Sequence, residues 1–114
     1  MKLITIADNR TWSPEGHSDC LCQDVVSDAV GATLMEIHTT TLGPGGVADL
    51  HSHPESEEVF LILSGELVFF DESGQEFPAR SGMAVFVPVG GKHGTINRSN
   101  KDVRLIAIQV PPKR

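Results

Sequence analysis

The apolar residues of this chain fall in short groups separated by glycine, proline and small polar residues. Lys2–Ile6 alternates polar and apolar side chains, which predicts an N-terminal strand. Residues 13–30 mix Pro14 and Gly16 with several Asp and Ser residues, a composition typical of a loop with one short helical turn. Residues 1–30 are therefore predicted to be an N-terminal strand and loop.

The rest of the chain predicts a succession of short strands joined by glycine turns. The predicted strands are 31–42, 47–53, 59–63, 67–70, 75–79, 83–87, 93–98 and 103–110. Gly43-Pro44-Gly45-Gly46 is a strong turn signal between the first two, and Ser64-Gly65 predicts a hairpin of 59–63 with 67–70. Many short strands with no long helical pattern indicate an all-β sandwich or barrel.

Length and composition bound the size and class of the protein. The chain has 114 residues, of which 39% are hydrophobic and 21% charged, so it is too apolar to be disordered. This length supports one domain over residues 1–114 and leaves no room for a fused DNA-reading helix-turn-helix.

Charge and hydropathy exclude several kinds of partner and location. No apolar run approaches the roughly 20 residues of a membrane helix, and residues 1–7 lack the apolar centre of a signal peptide. We therefore expect no membrane association and a cytoplasmic location. The net charge of −6, with scattered basic residues, also argues against a nucleic-acid partner.

The two cysteines form a C-x-C, Cys20 and Cys22, which cannot support a disulfide framework. The pairs and spacings of the strong zinc motifs are absent nearby, so the favoured interpretation is two ordinary thiols in a reducing cytoplasm. His17, three residues before Cys20, leaves only a weak metal-binding alternative.

Histidines carry the strongest chemical signal in the sequence. His51 and His53 are two residues apart, so on a strand they face the same side with Cα atoms about 6.6 Å apart. Glu57-Glu58 opens the next predicted strand and His93 follows a glycine turn. Imidazoles and a carboxylate together suit divalent first-row metals. Taken alone, each histidine is also compatible with a surface or core position, and the H-x-H pair with a structural one.

Two blocks of fixed spacing surround these side chains. The first is a glycine, five residues, H-x-H, four residues, a glutamate, six residues and a glycine: Gly45, His51, His53, Glu58 and Gly65. The second is a glycine, five residues, P-x-G, two residues, a histidine, three residues and an asparagine: Gly82, Pro88, Gly90, His93 and Asn97. A single Gly or Pro would match only about 5–7% of the time. In these blocks, residues 45–65 and 82–97, the chain resembles the cupin superfamily, in its small, single-domain, conserved-barrel type (cupin 2).

The resemblance implies a fold, a metal and a partner. The fold is a jelly-roll β-barrel, also called a double-stranded β-helix, packed as a homodimer whose contact would cover exposed β edges. The metal is one divalent ion (Fe, Mn, Ni, Cu, Zn or Co) held inside the barrel by His51, His53, Glu58 and His93. The motif glycines, with Pro88 and Asn97, are interpreted as scaffold.

The choice between Glu57 and Glu58 is not settled by strand parity, because both faces of residues 57–63 are apolar. The spacing to Gly65 favours Glu58. Three histidines and one carboxylate leave two positions of an octahedral metal for water, substrate or dioxygen. Glu58 is also a hypothetical catalytic base.

The substrate pocket is less well defined by the sequence. His38 and Thr40 share a strand face, and Gln109, Arg104 and Arg80 are further polar candidates, although a surface or strand-edge position is the simpler interpretation of each. Phe60, Phe69 or Phe86 is expected to line the barrel beside aliphatic side chains, which suits a small-molecule ligand.

Three functions stay open at this point. The first is a metal-dependent, dioxygenase-like enzyme acting on a small molecule, the most frequent activity in this superfamily. The second is a non-redox isomerase, epimerase, cyclase or lyase. The third is a module that captures a small ligand without turnover.

Overall fold

The computed structural model describes residues 1–112 of the chain. Nine strands and two short 3-10 helices, Ile6–Asp8 and Asp28–Val30, make up its regular structure. The strands are β1 Thr11–Trp12, β2 His17–Val26, β3 Glu36–His51, β4 Glu57–Ser64, β5 Glu66–Phe70, β6 Glu76–Arg80, β7 Ala84–Val87, β8 His93–Ile96 and β9 Val103–Val110. Over these residues there is no helix long and apolar enough to cross a membrane.

The strands form one antiparallel sheet that curls into a nearly closed barrel. Its order is β6-β5-β8-β3-β9-β4-β7, and β2 and β1 extend it beside β3. The first part of β3 pairs with β9 and its last part pairs with β8, so one strand joins the two halves of the barrel. The predicted all-β, jelly-roll class is confirmed. From residue 59 onward the predicted strand bounds are correct to within two residues.

The prediction for the N-terminal thirty residues is wrong in two places. Lys2–Ile6 forms no strand: residues 1–5 are irregular, a 3-10 helix begins at Ile6, and Leu3 is fully exposed. The alternating pattern there finds no partner strand. The predicted loop instead contains the ten-residue strand β2, whose inward positions include Cys20 and Cys22. The apolar Leu21 is exposed whereas the polar Asp24 lines the cavity, so polarity does not follow the inward and outward positions of this strand. The short helical turn is correct, since Asp28–Val30 is helical.

The glycine-rich segment 43–46 bends a strand instead of ending it. β3 runs through it without interruption, so the predicted turn and the two separate strands are incorrect. Gly45 has a φ of +79°, and a Cβ on Gly46 would lie 2.8 Å from the Asp19 carbonyl oxygen. These glycines supply the backbone freedom and close approach that the bend requires.

The predicted hairpin between β4 and β5 is also incorrect. β4 pairs with β7 and β9, whereas β5 pairs with β6 and β8, so the chain crosses from one half of the barrel to the other at Ser64-Gly65. Gly65 has a φ of +84°, and a Cβ there would lie 2.8 Å from the Asp102 carbonyl oxygen. A tight turn in the sequence does not distinguish a hairpin from such a crossing, because both need the same local backbone.

The hydrophobic core fills one end of the barrel. Every second residue of β9 points inward, and the row begins with Val103, Leu105 and Ala107. Val103 is opposite Leu42 of β3, and Leu67 of β5 joins the same cluster. We call Leu42, Leu67 and Val103 the apolar end. The inward row of β9 finishes on a polar residue, Gln109, which is opposite Glu58 of β4 and belongs to the other end.

Candidate metal centre

Three histidines converge at the polar end of the barrel. β3 ends at His51, whose Cα partner on the neighbouring strand is His93, the first residue of β8. His53 lies two residues beyond the end of β3, so the predicted strand 47–53 is too long, yet its ring centroid is 5.1 Å from that of His51. One ligand atom from each of the three histidines lies within 4.8 Å of the others.

A buried carboxylate completes the group. Glu58 Oε1 lies 3.3 Å from His53 Nε2 and 3.2 Å from His93 Nε2, and the Glu58 side chain is 5% exposed. Its neighbour Glu57 is exposed on the outer face of β4. The structure therefore brings the three histidines together, and it places Glu58, not Glu57, inside the barrel against His53 and His93.

Hydrogen bonds to backbone carbonyls orient two of the imidazoles. His51 Nδ1 lies 2.6 Å from the Asp49 carbonyl oxygen, and His93 Nδ1 lies 3.1 Å from that of Gly91. Because a carbonyl oxygen only accepts, each Nδ1 carries the proton and each Nε2 keeps its lone pair. This is the arrangement found behind metal-bound histidines.

Three nitrogen and oxygen atoms of these side chains are buried without a hydrogen-bond partner. They are His53 Nδ1, Glu58 Oε1 and His93 Nε2. Leaving one such atom unsatisfied costs about 1–3 kcal/mol. Glu58 Oε1 and His93 Nε2 lie 3.2 Å apart, and a divalent cation bound to both would satisfy a lone pair of each. The donor set and its convergence therefore fit the metal that the resemblance implied.

The surroundings favour the protonation states that metal ligation needs. Burial alone would raise the pKa of Glu58, but His53 and His93 outweigh it and hold that pKa at about 2. Burial lowers the pKa of His51, and the neighbouring histidines act in the same direction against the Asp49 carbonyl. The site thus presents a carboxylate beside a neutral imidazole, the ligand forms that bind divalent metals.

The group opens into a cavity of about 1070 Å³. Of the pocket residues that the sequence suggested, His38, Thr40, Gln109 and Phe60 line it. The others lie elsewhere: Arg80 and Arg104 are exposed on outer strand faces, Phe69 is 2% exposed in the core, and Phe86 is 58% exposed outside the barrel. Alternation in the sequence showed which residues share a strand face, but it did not show which face of each strand lines the cavity.

A second polar group lies on the cavity wall formed by β2 and β3. Cys22 Sγ is 3.3 Å from Thr40 Oγ1, and the ring of Trp12 packs edge-on against His38 at 5.2 Å. The Cys20 thiol lowers the pKa of Cys22 against the effect of burial, and His38 and Thr40 act in the same direction as Cys20. Burial would lower the pKa of His38, but the contact with Cys22 raises it. Both cysteines are free and buried.

His17 is the residue whose place the sequence did not indicate. Its ring centroid is 5.3 Å from that of His51, because β2 pairs His17 with Ala48 of β3. His17 therefore neighbours the histidine group, and Cys20 belongs to the core. Within residues 1–112, the one group of three candidate ligands is His51, His53 and His93, so the weak metal alternative at His17 and Cys20 is not supported. Only the register of β2 on β3 could have revealed the position of His17.

Comparison with known families and proteins agrees with this architecture. The family model of the cupin domain matches residues 38–109. The "Oxalate-binding protein" of Thermotoga maritima is 36% identical over 67 residues, which cover 59% of this chain and 54% of the relative. The "Tetracenomycin polyketide synthase protein TcmJ" of Streptomyces glaucescens is 32% identical over 84 residues, 74% of this chain and 55% of the relative. The matches span about half the length of these curated relatives.

Solved structures share the fold at low sequence identity. The polyketide cyclase RemF of Streptomyces resistomycificus superposes with a TM-score of 0.87 and 20% identity, covering 98% of this chain and 80% of that one. A Thermotoga maritima protein described as a predicted oxalate decarboxylase gives a TM-score of 0.83 and 23% identity, covering 97% and 100%. These similarities establish the barrel and its topology.

Proposed function

The chain belongs to the cupin family, and on that basis we propose that it is a metal-dependent enzyme acting on a small molecule inside the barrel. One divalent transition metal, which can be Fe, Mn, Ni, Cu, Zn or Co, is held by His51, His53, His93 and Glu58. The observation that carries this proposal is the convergence of buried, unpaired donor atoms on one point at the wall of a large cavity.

The residues around this point have separable tasks. The Asp49 and Gly91 carbonyls fix the rings of His51 and His93, so that both direct Nε2 inward. Phe60, whose ring centroid is 5.6 Å from that of His93, shields one side of the group from water. A bound metal would act as a Lewis acid toward a ligand in the cavity. Glu58 is the one carboxylate of the set, and we propose that it also accepts a proton from the substrate.

Three candidate functions are supported by different observations. A dioxygenase-like reaction is the first candidate, because it was expected from the sequence resemblance and the donor set suits a redox metal. A non-redox cyclase, isomerase or lyase is the second candidate. It is supported by a cavity that has room for more than a dicarboxylate and by the similarity, over 74% of this chain, to TcmJ, which is named as a polyketide synthase protein. Ligand capture without turnover is the third, and the name of the Thermotoga maritima relative supports it.

Metal and oxygen measurements on the same preparation distinguish these candidates. Protein purified without added metal is expected to carry about one transition-metal ion per chain by mass spectrometry. Iron or copper with oxygen uptake in the presence of substrate supports the dioxygenase, whereas zinc or nickel without uptake supports the non-redox classes or ligand capture. Turnover of a chelating substrate then separates an enzyme from a binding module.

Alanine variants test the ligand assignment itself. His51→Ala and His93→Ala are expected to remove the bound metal, because each deletes a nitrogen of the converging group. His38→Ala is the matched control, since His38 lines the same cavity outside the group and its loss leaves the metal content unchanged. Unchanged metal in both His51→Ala and His93→Ala would show that the assignment is wrong.

We also propose that the chain forms a homodimer through the outer face of β4 and its neighbours. Val59 is opposite Phe86 of β7 and Ile108 of β9, and Leu61 is opposite Ile106. This strip is exposed in the single chain, with Phe86 at 58% and Leu61 at 37%. A second copy would cover the strip and the adjoining strand edge. Light scattering should give a dimer mass, and Phe86→Asp should give a monomer.

We also propose a cytoplasmic location and a small-molecule partner. The two buried free thiols support a reducing, cytoplasmic location, because such thiols persist where disulfides are disfavoured. A net charge of −6 supports a small-molecule partner over a nucleic acid. Fractionation of the producing cell and a filter-binding assay with DNA and RNA test the two statements.

A further inference from the structure

Gln109 is a buried polar residue that the metal centre, as described so far, does not use. It is the last inward residue of β9 and 3% exposed. Its amide nitrogen Nε2 is buried and has no hydrogen-bond partner. The side chain nevertheless lines the cavity that contains the histidine group. A buried primary amide with an unpaired donor is rare in native proteins and calls for a physical reason.

Packing does not supply that reason. The other inward residues of β9 are Val103, Leu105 and Ala107, and a leucine or methionine at position 109 would continue this row without burying a polar group. Burying an unsatisfied amide N–H costs about 1–3 kcal/mol, which an apolar residue of similar volume avoids. A ligand that accepts a hydrogen bond from Nε2 would remove this cost when it binds.

The register of the sheet places Gln109 beside the proposed metal ligand. Gln109 and Glu58 are directly opposite each other on β9 and β4, and both side chains point into the barrel. Directly opposite residues have Cβ atoms about 4.5–5.5 Å apart. A molecule that occupies a free metal position next to Glu58 is therefore within reach of the Gln109 amide.

We infer that Gln109 forms an oxygen-binding subsite, in which its amide donates a hydrogen bond to a ligand oxygen that does not chelate the metal. The ligand class is a metal-chelating oxygen compound, such as a carboxylate, with at least one acceptor oxygen beyond the chelating pair. This inference rests on the proposed metal centre and names the substrate class of the same site.

Two chelating probes separate the subsite from the metal centre. Oxalate binds a metal through two oxygens and leaves two others free, whereas tropolone has only its chelating pair. Calorimetry with metal-loaded protein should show that Gln109→Met weakens oxalate binding roughly tenfold or more, the loss expected for a hydrogen bond to a charged acceptor. Tropolone affinity should stay within about twofold of the wild-type value, because tropolone makes no use of the amide.

The outcomes identify which claim fails. If the wild-type protein binds no metal, the proposed function is wrong. If it binds metal but not oxalate, or if Gln109→Met binds oxalate as the wild type does, the subsite is wrong. An equal loss for both probes also overturns it, since Gln109 would then act on the metal centre. Gln109→Leu serves as a second apolar variant, and metal content and circular dichroism establish that each variant is folded and loaded.

Discussion

Two buried carboxamides stand at opposite ends of the same barrel and have opposite bonding. Asn97, 0% exposed, donates to the carbonyl oxygens of Leu42, Gly43 and Lys101, and its own oxygen accepts from the backbone and hydroxyl of Ser99. Gln109, 3% exposed, leaves its amide nitrogen without a partner. Burial is the same for both, so burial does not distinguish a structural amide from a ligand-binding one. The completeness of the hydrogen bonds does.

The two ends of the barrel repeat this contrast on a larger scale. At the apolar end, Leu42, Leu67 and Val103 belong to one hydrophobic cluster, and Asn97 donates to the carbonyl oxygens of Leu42 and Gly43 beside it. At the polar end, three donor atoms of His53, Glu58 and His93 are buried and unpaired. One end therefore supplies free energy of folding, and the other retains unsatisfied groups for a metal and its ligand.

The largest effect on stability is expected at the apolar end. Leu67 is 0% exposed, so Leu67→Ala removes buried methyl groups and leaves a cavity, which should lower the free energy of unfolding by about 3–4 kcal/mol. Leu21, 52% exposed on β2, is the matched control, and Leu21→Ala should cost less than about 1 kcal/mol. Urea unfolding measures both. Folded Leu67→Ala should keep its metal, and a variant that loses metal before it unfolds would contradict the separation of the two ends.

The next largest loss of stability is expected when Asn97 is replaced, and this substitution tests whether Asn97 is structural. Asn97→Ala deprives three carbonyl oxygens of their donor where the Gly43–Gly46 bend meets the start of β9, so we expect a loss of about 2–3 kcal/mol. Asn100→Ala, at an exposed position in the same loop, should change little. Gln109→Met, by contrast, should leave the stability of the metal-free protein unchanged or higher. If Gln109→Met were as destabilising as Asn97→Ala, the two amides would not differ in role.

The sequence predicted the class of fold because short alternating runs and glycine turns indicate strands however those strands pair. It could not predict which strands pair. Ser64-Gly65 and Gly43–Gly46 look like hairpin turns locally, yet one is a crossing and the other a bend, a difference set by contacts with Asp102 and Asp19 far along the chain. Strand β2 was not predicted because its two buried residues, Cys20 and Cys22, are small and lie among polar residues, so they give no clear apolar alternation.

The candidate site was predictable for a different reason. Its four proposed ligands stand at the spacings of the cupin motifs, so the resemblance to that superfamily implied His51, His53, Glu58 and His93. The surroundings of these donors follow from register, which the sequence does not encode locally. His17 comes beside His51 only through the pairing of β2 with β3. Phe69 is buried in the core and Phe86 is exposed on the outside of the barrel, so neither lines the cavity.

A smaller effect, on metal affinity, is expected when the carboxylate of Glu58 is replaced, and it tests the role of Glu58 at the polar end. Glu58→Gln keeps the shape of the side chain but removes the charge that a divalent metal needs, so metal affinity should fall roughly 10- to 100-fold. Glu57→Gln is the matched control, because Glu57 is exposed on the outer face and should keep wild-type affinity. Competition with a fluorescent chelator measures both. Equal losses would mean that net charge, not ligation by Glu58, controls binding.

The smallest effect is expected at the boundary between the two ends, where the cysteines lie. Cys20 packs in the core, and Cys22 reaches the Thr40 hydroxyl on the cavity wall. Replacing either thiol by alanine removes one buried sulfur, so Cys20→Ala and Cys22→Ala should each cost about 1 kcal/mol in urea unfolding and leave the metal content unchanged. If the double variant lost its metal, the polar end would extend as far as β2, and the ligand set would need to include a thiol.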